Sequence, residues 1–365
     1  MKGKAAIFQK AGKPFEIAEF PVPEPEPGAV VIKVHMANIC GSDLHCWHGD
    51  QRFTGRGPWI LGHEAMGSVH KMGPGVTTDS VGQPLREGDR VVYQYFHSCG
   101  KCYACIHGSP LSCTQLFISG FQSAEAPYYF NGAYAEFFYL RPGMKIFKVP
   151  DELPDDLVAP LNCALCEVAY GLHKANIRFG DSVVIQGAGG LGIYACSMAK
   201  EMGAGMVIAI DGTDERLKMA RAFGADYTID LREYPAAKNR TGRVRELVGE
   251  QGADVAVEVV GLPEVVPEGL EMIKRDGTYI LIGNINPGKK VEIDPARIVL
   301  SSKRIVGVVM YESWLIPRLL NYLRMNLNKY PFAKVLSKKF KLTEINEAFE
   351  ASDRRETTRA SIVMG

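Results

Sequence analysis

The run SVVIQGAGGLGIYACSMAKEMG (182–203) joins an apolar stretch, a glycine-rich turn and a helical pattern without a gap, and few folds accommodate that order. The alternation repeats downstream. MVIAID leads into DERLKMARAFGA, a long polar helical stretch precedes DVAVEVVG, and TYILIG and RIVGVVM follow as further apolar runs. Unbroken Val/Ile strands alternating with amphipathic helices predict a parallel sheet covered on both faces, a doubly wound α/β arrangement. Within that context GAGGLG (187–192) acquires meaning that the bare G-x-G-x-x-G pattern lacks in a chain of 38 glycines. Gly187 permits a tight turn, Gly189 lets the backbone approach a pyrophosphate, and Gly192 allows close helix–strand packing. Gly190 and Leu191 complete the turn, and the following helix N-terminus offers free N–H groups and a positive dipole end to phosphates. Asp211 stands nineteen residues past Gly192, at the end of MVIAID, where a carboxylate accepts hydrogen bonds from an adenosine ribose. A 2′-phosphate about 4 Å from that carboxylate would cost roughly 1–4 kcal/mol, so the expected dinucleotide is NAD. Arg216, five residues on, is a second candidate for the ribose. The plainer reading makes GAGGLG a steric turn and Asp211 a helix cap.

The first 150 residues differ in character. AVVIKVHMAN (29–38) and DRVVYQYF (89–96) read as strands, broken by loops such as PVPEPEPG (21–28) and GPGV (73–76). Short strands at close spacing predict a barrel-like or sandwich-like β domain. The change comes near DELPDDLVAPL, where Pro154 followed by two aspartates signals a helix start. At 365 residues two domains are expected. The tail from Leu319 to Ser352 reads as helical with one short strand.

Cysteine carries the next signal. CGKCYACIHGSPLSC (99–113) spaces four thiols as C-x2-C-x2-C-x7-C, within reach of one tetrahedral zinc. Four protein ligands leave no position for substrate, so this cluster staples and does not catalyse. An open zinc site needs three ligands, and candidates are dispersed: Cys40 in CGSDLH, His63 in GHE, and Cys163 or Cys166 in NCALCEVAYG. Nine cysteines, clustered rather than paired, fit metal binding in a reducing compartment. Forty-two basic against 41 acidic residues, with no cationic block, argue against nucleic acid or a membrane surface. The N-terminal stretch lacks a signal-peptide core and no apolar run is long enough for a bilayer, so a cytoplasmic location is expected.

Taken together, CGSD, GHE, the four-cysteine lobe, NGAYAEF (131–137) and GAGGLG resemble the zinc-dependent medium-chain alcohol dehydrogenases over essentially the full length. The resemblance implies a mainly β, GroES-like catalytic domain split between 1–161 and 309–365, and a Rossmann NAD-binding domain over 162–308. It implies a structural zinc on Cys99, Cys102, Cys105 and Cys113. It also implies a catalytic zinc on Cys40, His63 and Cys163, with Cys166 in reserve. Glu64 would approach the metal transiently, and Asp43 would fix the His63 tautomer. Ser42 and His45 resemble a proton relay for an alcohol that gives hydride to the nicotinamide. Arg359 is a candidate for the pyrophosphate. A departure is Glu167, where the family commonly has threonine near the nicotinamide. Trp47, Tyr95, Phe96 and the aromatic segment 117–139 are candidates for a pocket suited to a bulky, cyclic or secondary alcohol. A homodimer or homotetramer is expected, paired through KRIVGVVM (303–310). The alternatives are a zinc-free quinone or enoyl reductase of the same fold, and a non-catalytic protein on this scaffold. His35, His70, His173, Cys46 and Cys196 read as structural, and His48 and His97 have little beyond adjacency to suggest a role.

Overall fold

In the computed structural model, which describes residues 1–50, 57–335 and 338–365, the strand Val30–Asn38 organises the first part of the chain. Its apolar residues are buried almost throughout, because strands flank it on both sides. Glu64–Met72 pairs with it antiparallel, and so does the C-terminal strand Ala360–Val363. A seven-stranded sheet extends outward through Arg90–Tyr93 and Ile146–Lys148 on one side and Lys338–Lys341 on the other, while Phe137–Leu140 pairs with the Val30–Lys33 half. A three-stranded sheet of Glu16–Pro21, Lys2–Phe8 and Trp59–Ile60 adds a further layer. Ile7, Val31, Ile60, Phe130, Phe137 and Tyr139 share one core cluster.

Two expectations change here. DRVVYQYF is not one strand: Arg90–Tyr93 and Phe96–His97 join different sheets, the latter pairing with Phe117–Ile118. The aromatic segment 117–139 is mainly core rather than pocket wall. Tyr128 stacks on Tyr139 at 4.2 Å, Tyr129 stacks on Phe20 at 5.1 Å, and Phe130 is fully buried.

The second part is a six-stranded parallel sheet. Its order is Tyr227–Asp230, Met206–Asp211, Ser182–Gln186, Ala253–Glu258, Ile273–Leu281 and Arg304–Gly307. Helices Gly190–Glu201, Asp214–Ala222, Ala237–Val248 and Val265–Met272 connect successive strands. The order reverses between Ser182–Gln186 and Ala253–Glu258, which makes a switch-point crevice at their carboxyl ends. KRIVGVVM forms a shorter strand than expected. Val308 still donates to the Leu281 carbonyl, but Met310 turns to φ +61 and ends the ladder.

By contacts the chain divides into two compact units. One comprises Met1–Ala164, Ser313–Asn328 and Phe332–Gly365; the other comprises Leu165–Glu312 and Lys329–Pro331. Among the described residues no helix is long and apolar enough to cross a membrane.

Candidate metal centre and dinucleotide turn

Three separate elements of the first unit bring thiol and imidazole donors together. Cys40 is the N-cap of the helix Gly41–His48. His63 leads into the strand Glu64–Met72, and Cys163 sits in a π-helical turn, Leu161–Leu165. One donor atom from each of Cys40, His63, Glu64 and Cys163 lies within 4.8 Å of the others. The two sulfurs are 4.0 Å apart, and His63 Nε2 is 3.3 Å from Cys163 Sγ. Sulfurs bonded to one tetrahedral zinc lie about 3.8 Å apart. The donor set therefore fits such an ion in both chemistry and spacing. Cys166, the reserve candidate, is fully buried beside Tyr311 and is not in this cluster.

The surroundings favour a thiolate and a held imidazole. A hydrogen bond from Cys163 and the neighbouring His63 pull the Cys40 thiol well below its usual pKa against the effect of burial. Burial opposes charge on His63, but Asp43 and the Cys40 sulfur outweigh it and raise its pKa well above the ordinary value. Asp43 Oδ1 is 3.7 Å from His63 Nδ1, while its Oδ2 accepts from Tyr134 Oη at 2.8 Å and from the Cys40 N–H at 2.9 Å. The Tyr134 ring also explains Gly62. A Cβ there would come within 2.9 Å of the ring, and the backbone at Gly62 has φ +89.

Two residues were not marked for these duties by sequence. Asn162, fully buried, donates to the His63 and Tyr93 carbonyls at 3.1 and 3.0 Å and accepts from the Ala65 N–H at 3.3 Å. It staples the turn bearing Cys163 to the backbone bearing His63. Tyr134 supports Asp43. The available signals were their positions, one beside Cys163 and the other inside NGAYAEF.

Glu64 and Arg359 are partners, a pairing the sequence did not show. Arg359, expected on a pyrophosphate, is buried and ion-paired to Glu64. The register explains it: Asn38 faces Glu64 on one side and Ser361 on the other, so Arg359, just before the strand Ala360–Val363, comes close to Glu64. Burial pushes the Glu64 carboxyl up to about 8, against the pull of Arg359.

Ser42 and His45 lie three apart on the helix Gly41–His48, hence on one face. His45 Nδ1 is 2.6 Å from Asp50 Oδ2. Tyr95 packs its ring 4.7 Å from that of His63, Phe96 packs edge-on against Tyr95, and Trp47 contacts Phe349. His35 and His48 bind Asp155 and Asp353, in keeping with structural roles.

The sulfurs of Cys99, Cys102, Cys105 and Cys113 form a second donor group within 4.8 Å. Cys102 Sγ is 3.5 Å from Cys105 Sγ and 3.8 Å from Cys113 Sγ, far beyond disulfide bonding. The Cys105 N–H draws the Cys102 thiol down to about 6, and the Lys101 N–H lowers Cys99. Burial pushes Cys105 up to about 11. A cation is what lets four adjacent thiols ionise together.

In the second unit the glycine turn has the geometry its spacing requires. Gly187 has φ +95, Gly189 faces open space, and a Cβ on Gly192 would strike the Gly187 carbonyl at 1.8 Å. The helix Gly190–Glu201 starts there, with Gly190 and Leu191 in its first turn. Asp211 accepts from the Ala188 and Gly212 N–H groups at 2.9 and 2.8 Å, and Arg216 Nη1 lies 3.6 Å from its carboxylate.

Family models match this chain as "Alcohol dehydrogenase GroES-like domain" over residues 26–151 and "Zinc-binding dehydrogenase" over 190–324. Similar curated proteins include 5-exo-hydroxycamphor dehydrogenase of Pseudomonas putida, 32% identical over 352 residues, with 95% of this chain and 94% of the relative covered. L-threonine 3-dehydrogenase of Pyrococcus horikoshii is 34% identical over 357 residues, with the same shares covered. Among solved structures, an alcohol dehydrogenase from Thermotoga maritima superposes with a TM-score of 0.92 at 27% identity, covering 100% of both chains. The chain belongs to the zinc-binding medium-chain alcohol dehydrogenase family. It is an oxidoreductase of the CH–OH class, with a GroES-like part, a Rossmann sheet and two candidate zinc sites.

Proposed function

We propose that the protein interconverts a secondary, bulky or cyclic alcohol and its ketone or aldehyde, with NAD as hydride acceptor and two zinc ions per chain. The observation that carries this reading is the approach of Cys40, His63 and Cys163 donors at zinc-compatible spacing. In this reading 1–161 with 309–365 is the catalytic domain, and 162–308 binds NAD. Cys99, Cys102, Cys105 and Cys113 hold the structural ion. Cys40, His63 and Cys163 hold the other, with two thiolates offsetting its charge. Zinc there supplies Lewis acidity that lowers the pKa of an alcohol oxygen.

The protein's own groups do the rest. Asp43, steadied by Tyr134, holds the proton on His63 Nδ1 and leaves Nε2 facing the cysteines. Ser42 accepts the hydroxyl proton as it gives up its own, and His45, whose Nδ1 lies 2.6 Å from Asp50 Oδ2, passes a proton on to solvent by way of the cofactor ribose. Glu64, paired with Arg359, keeps its carboxyl group beside the donors for transient approach. Asp211 accepts from the adenosine ribose, and the Gly187–Gly192 turn takes the pyrophosphate. The held carboxylate of Asp211 favours NAD, and Arg216, 3.6 Å from it, is a second contact for the adenosine ribose.

Hydroxycamphor, in the name of one relative, is a cyclic alcohol, which supports the substrate class. Tyr95, packed on the His63 ring, and Phe96, packed on Tyr95, are the aromatic candidates for contact with a ring-bearing substrate. Free cysteines throughout agree with a cytoplasmic setting. The test is a panel of primary, secondary, cyclic and aromatic alcohols with NAD, ranked by kcat/KM. Cyclic and secondary alcohols should lead; a panel led by short primary alcohols would refute the substrate class.

A further inference from the structure

Glu167 stands in the first turn of the helix Cys166–Ala175, where the family resemblance places a threonine. Its carboxylate Oε1 accepts the N–H of Met310 at 3.2 Å. Met310 is a non-glycine residue at φ +61, buried, just past the end of the edge strand Arg304–Gly307. A left-handed conformation is unfavourable for such a side chain and persists only where its surroundings hold it. The same helix holds the next two residues as well. Cys166 meets Tyr311, and Tyr170 Oη donates to Glu312 Oε1 at 2.9 Å. Three helix residues, at i, i+1 and i+4, thus engage three consecutive residues of one loop.

The position of that loop gives the clamp its meaning. In an open parallel sheet a dinucleotide lies across the carboxyl ends of the strands, one half on each side of the switch point. Asp211 marks the adenosine side. The strands Ala253–Glu258, Ile273–Leu281 and Arg304–Gly307 form the other side, which is left for the nicotinamide half. Residues 308–312 are the carboxyl-terminal exit of the last of these strands.

We infer that Glu167 is a positioning residue for the nicotinamide half of the dinucleotide, acting by holding the backbone at Met310 in its left-handed turn. The inference rests on the cofactor reading above. Its role is mechanical, through an accepted N–H, and not that of a counter-ion to the oxidised ring. Glutamine preserves the acceptor and should preserve the function, whereas alanine and the shorter threonine do not.

Equilibrium titration by protein fluorescence tests this on the full-length, zinc-replete protein, with NADH, NAD and ADP-ribose as ligands. Glu167→Ala should weaken NADH and NAD about tenfold and leave ADP-ribose within about twofold, as expected for one lost hydrogen bond at one end of the ligand. Glu167→Gln should stay within about threefold of wild type for all three. If Glu167→Ala does not fold, Glu167→Thr takes its place in the same comparison. An unchanged NADH affinity in Glu167→Ala would overturn the inference, and so would an equal loss for ADP-ribose, which would mean general structural damage. Weakened NAD with unchanged NADH in Glu167→Gln would assign a counter-ion role instead and overturn it too. Wild-type protein that binds none of the three ligands would remove the cofactor reading itself, and this inference with it.

Discussion

Asp211 receives three backbone N–H donors and has a guanidinium 3.6 Å away, so its carboxylate is locked in place before any ligand arrives. A fixed charge repels a 2′-phosphate more effectively than a mobile one, because it cannot rotate away. Asp211→Ala should therefore lower the NAD over NADP ratio of kcat/KM by about tenfold, with Arg216 then free to favour the phosphate. An unchanged ratio would exclude Asp211 as the discriminating group. A second carboxylate shows the pH side of the same physics. Asp155 accepts from Arg90 Nε at 3.0 Å and contacts His35 Nδ1 at 2.8 Å. His35 and then Arg90 hold its pKa below the ordinary value. A depressed carboxylate stabilises the fold above its unfolded pKa and loses that contribution as pH falls through the folded one. Asp155→Asn should cost about 1–2 kcal/mol near pH 7, and the difference should fade below about pH 4. Denaturant melts at both pH values check it; a gap that widens in acid would reverse the sign assigned here.

Short elements carry the chemistry more than long ones. The lobe Cys99–Cys113 contains only a helix of four residues, Tyr103–Ile106, and a three-residue turn, too little apolar core to hold itself. Cys99→Ser should lower zinc content and melting temperature, while the fraction that remains folded keeps kcat within about threefold. A stable variant that loses only turnover would contradict the stapling role. The legibility of each element follows from how far apart its partners lie. The glycine turn and the four-cysteine lobe are local, so spacing alone displays them. Cys40, His63 and Cys163 are marked by residue type within recognisable motifs, but only the fold shows that Cys163, in the π-helical turn Leu161–Leu165, joins the other two while Cys166, which opens the next helix, does not. Asn162 on His63, Tyr134 on Asp43 and Arg359 on Glu64 are separated by 99, 91 and 295 positions. Such pairs exist only once the sheet register is known. The terminal strand Ala360–Val363 was hidden for the same reason, since its partner Met36–Asn38 lies at the other end of the chain.

At the scale of the molecule, one of the two edges of the parallel sheet stands out. Among the described residues Arg304–Gly307 pairs on one side only, Ile305 in it is exposed, and Val299, Leu300 and Val309 are exposed as well. An open apolar edge of this kind is usually covered. Sedimentation at working concentration should give a dimer or tetramer, and Ile305→Asp should shift it towards monomer; a wild-type monomer would refute pairing through this strand. The central claim is that Cys40, His63 and Cys163 together hold the ion that activates the alcohol. Zinc per chain, measured in wild type and in Cys163→Ser alongside NADH formation with the best alcohol, tests it most directly. The account predicts two zinc ions in the wild type and one in the variant, with turnover reduced about a thousandfold or more. One zinc in a fully active wild type, or a variant that keeps both ions and its turnover, would contradict it.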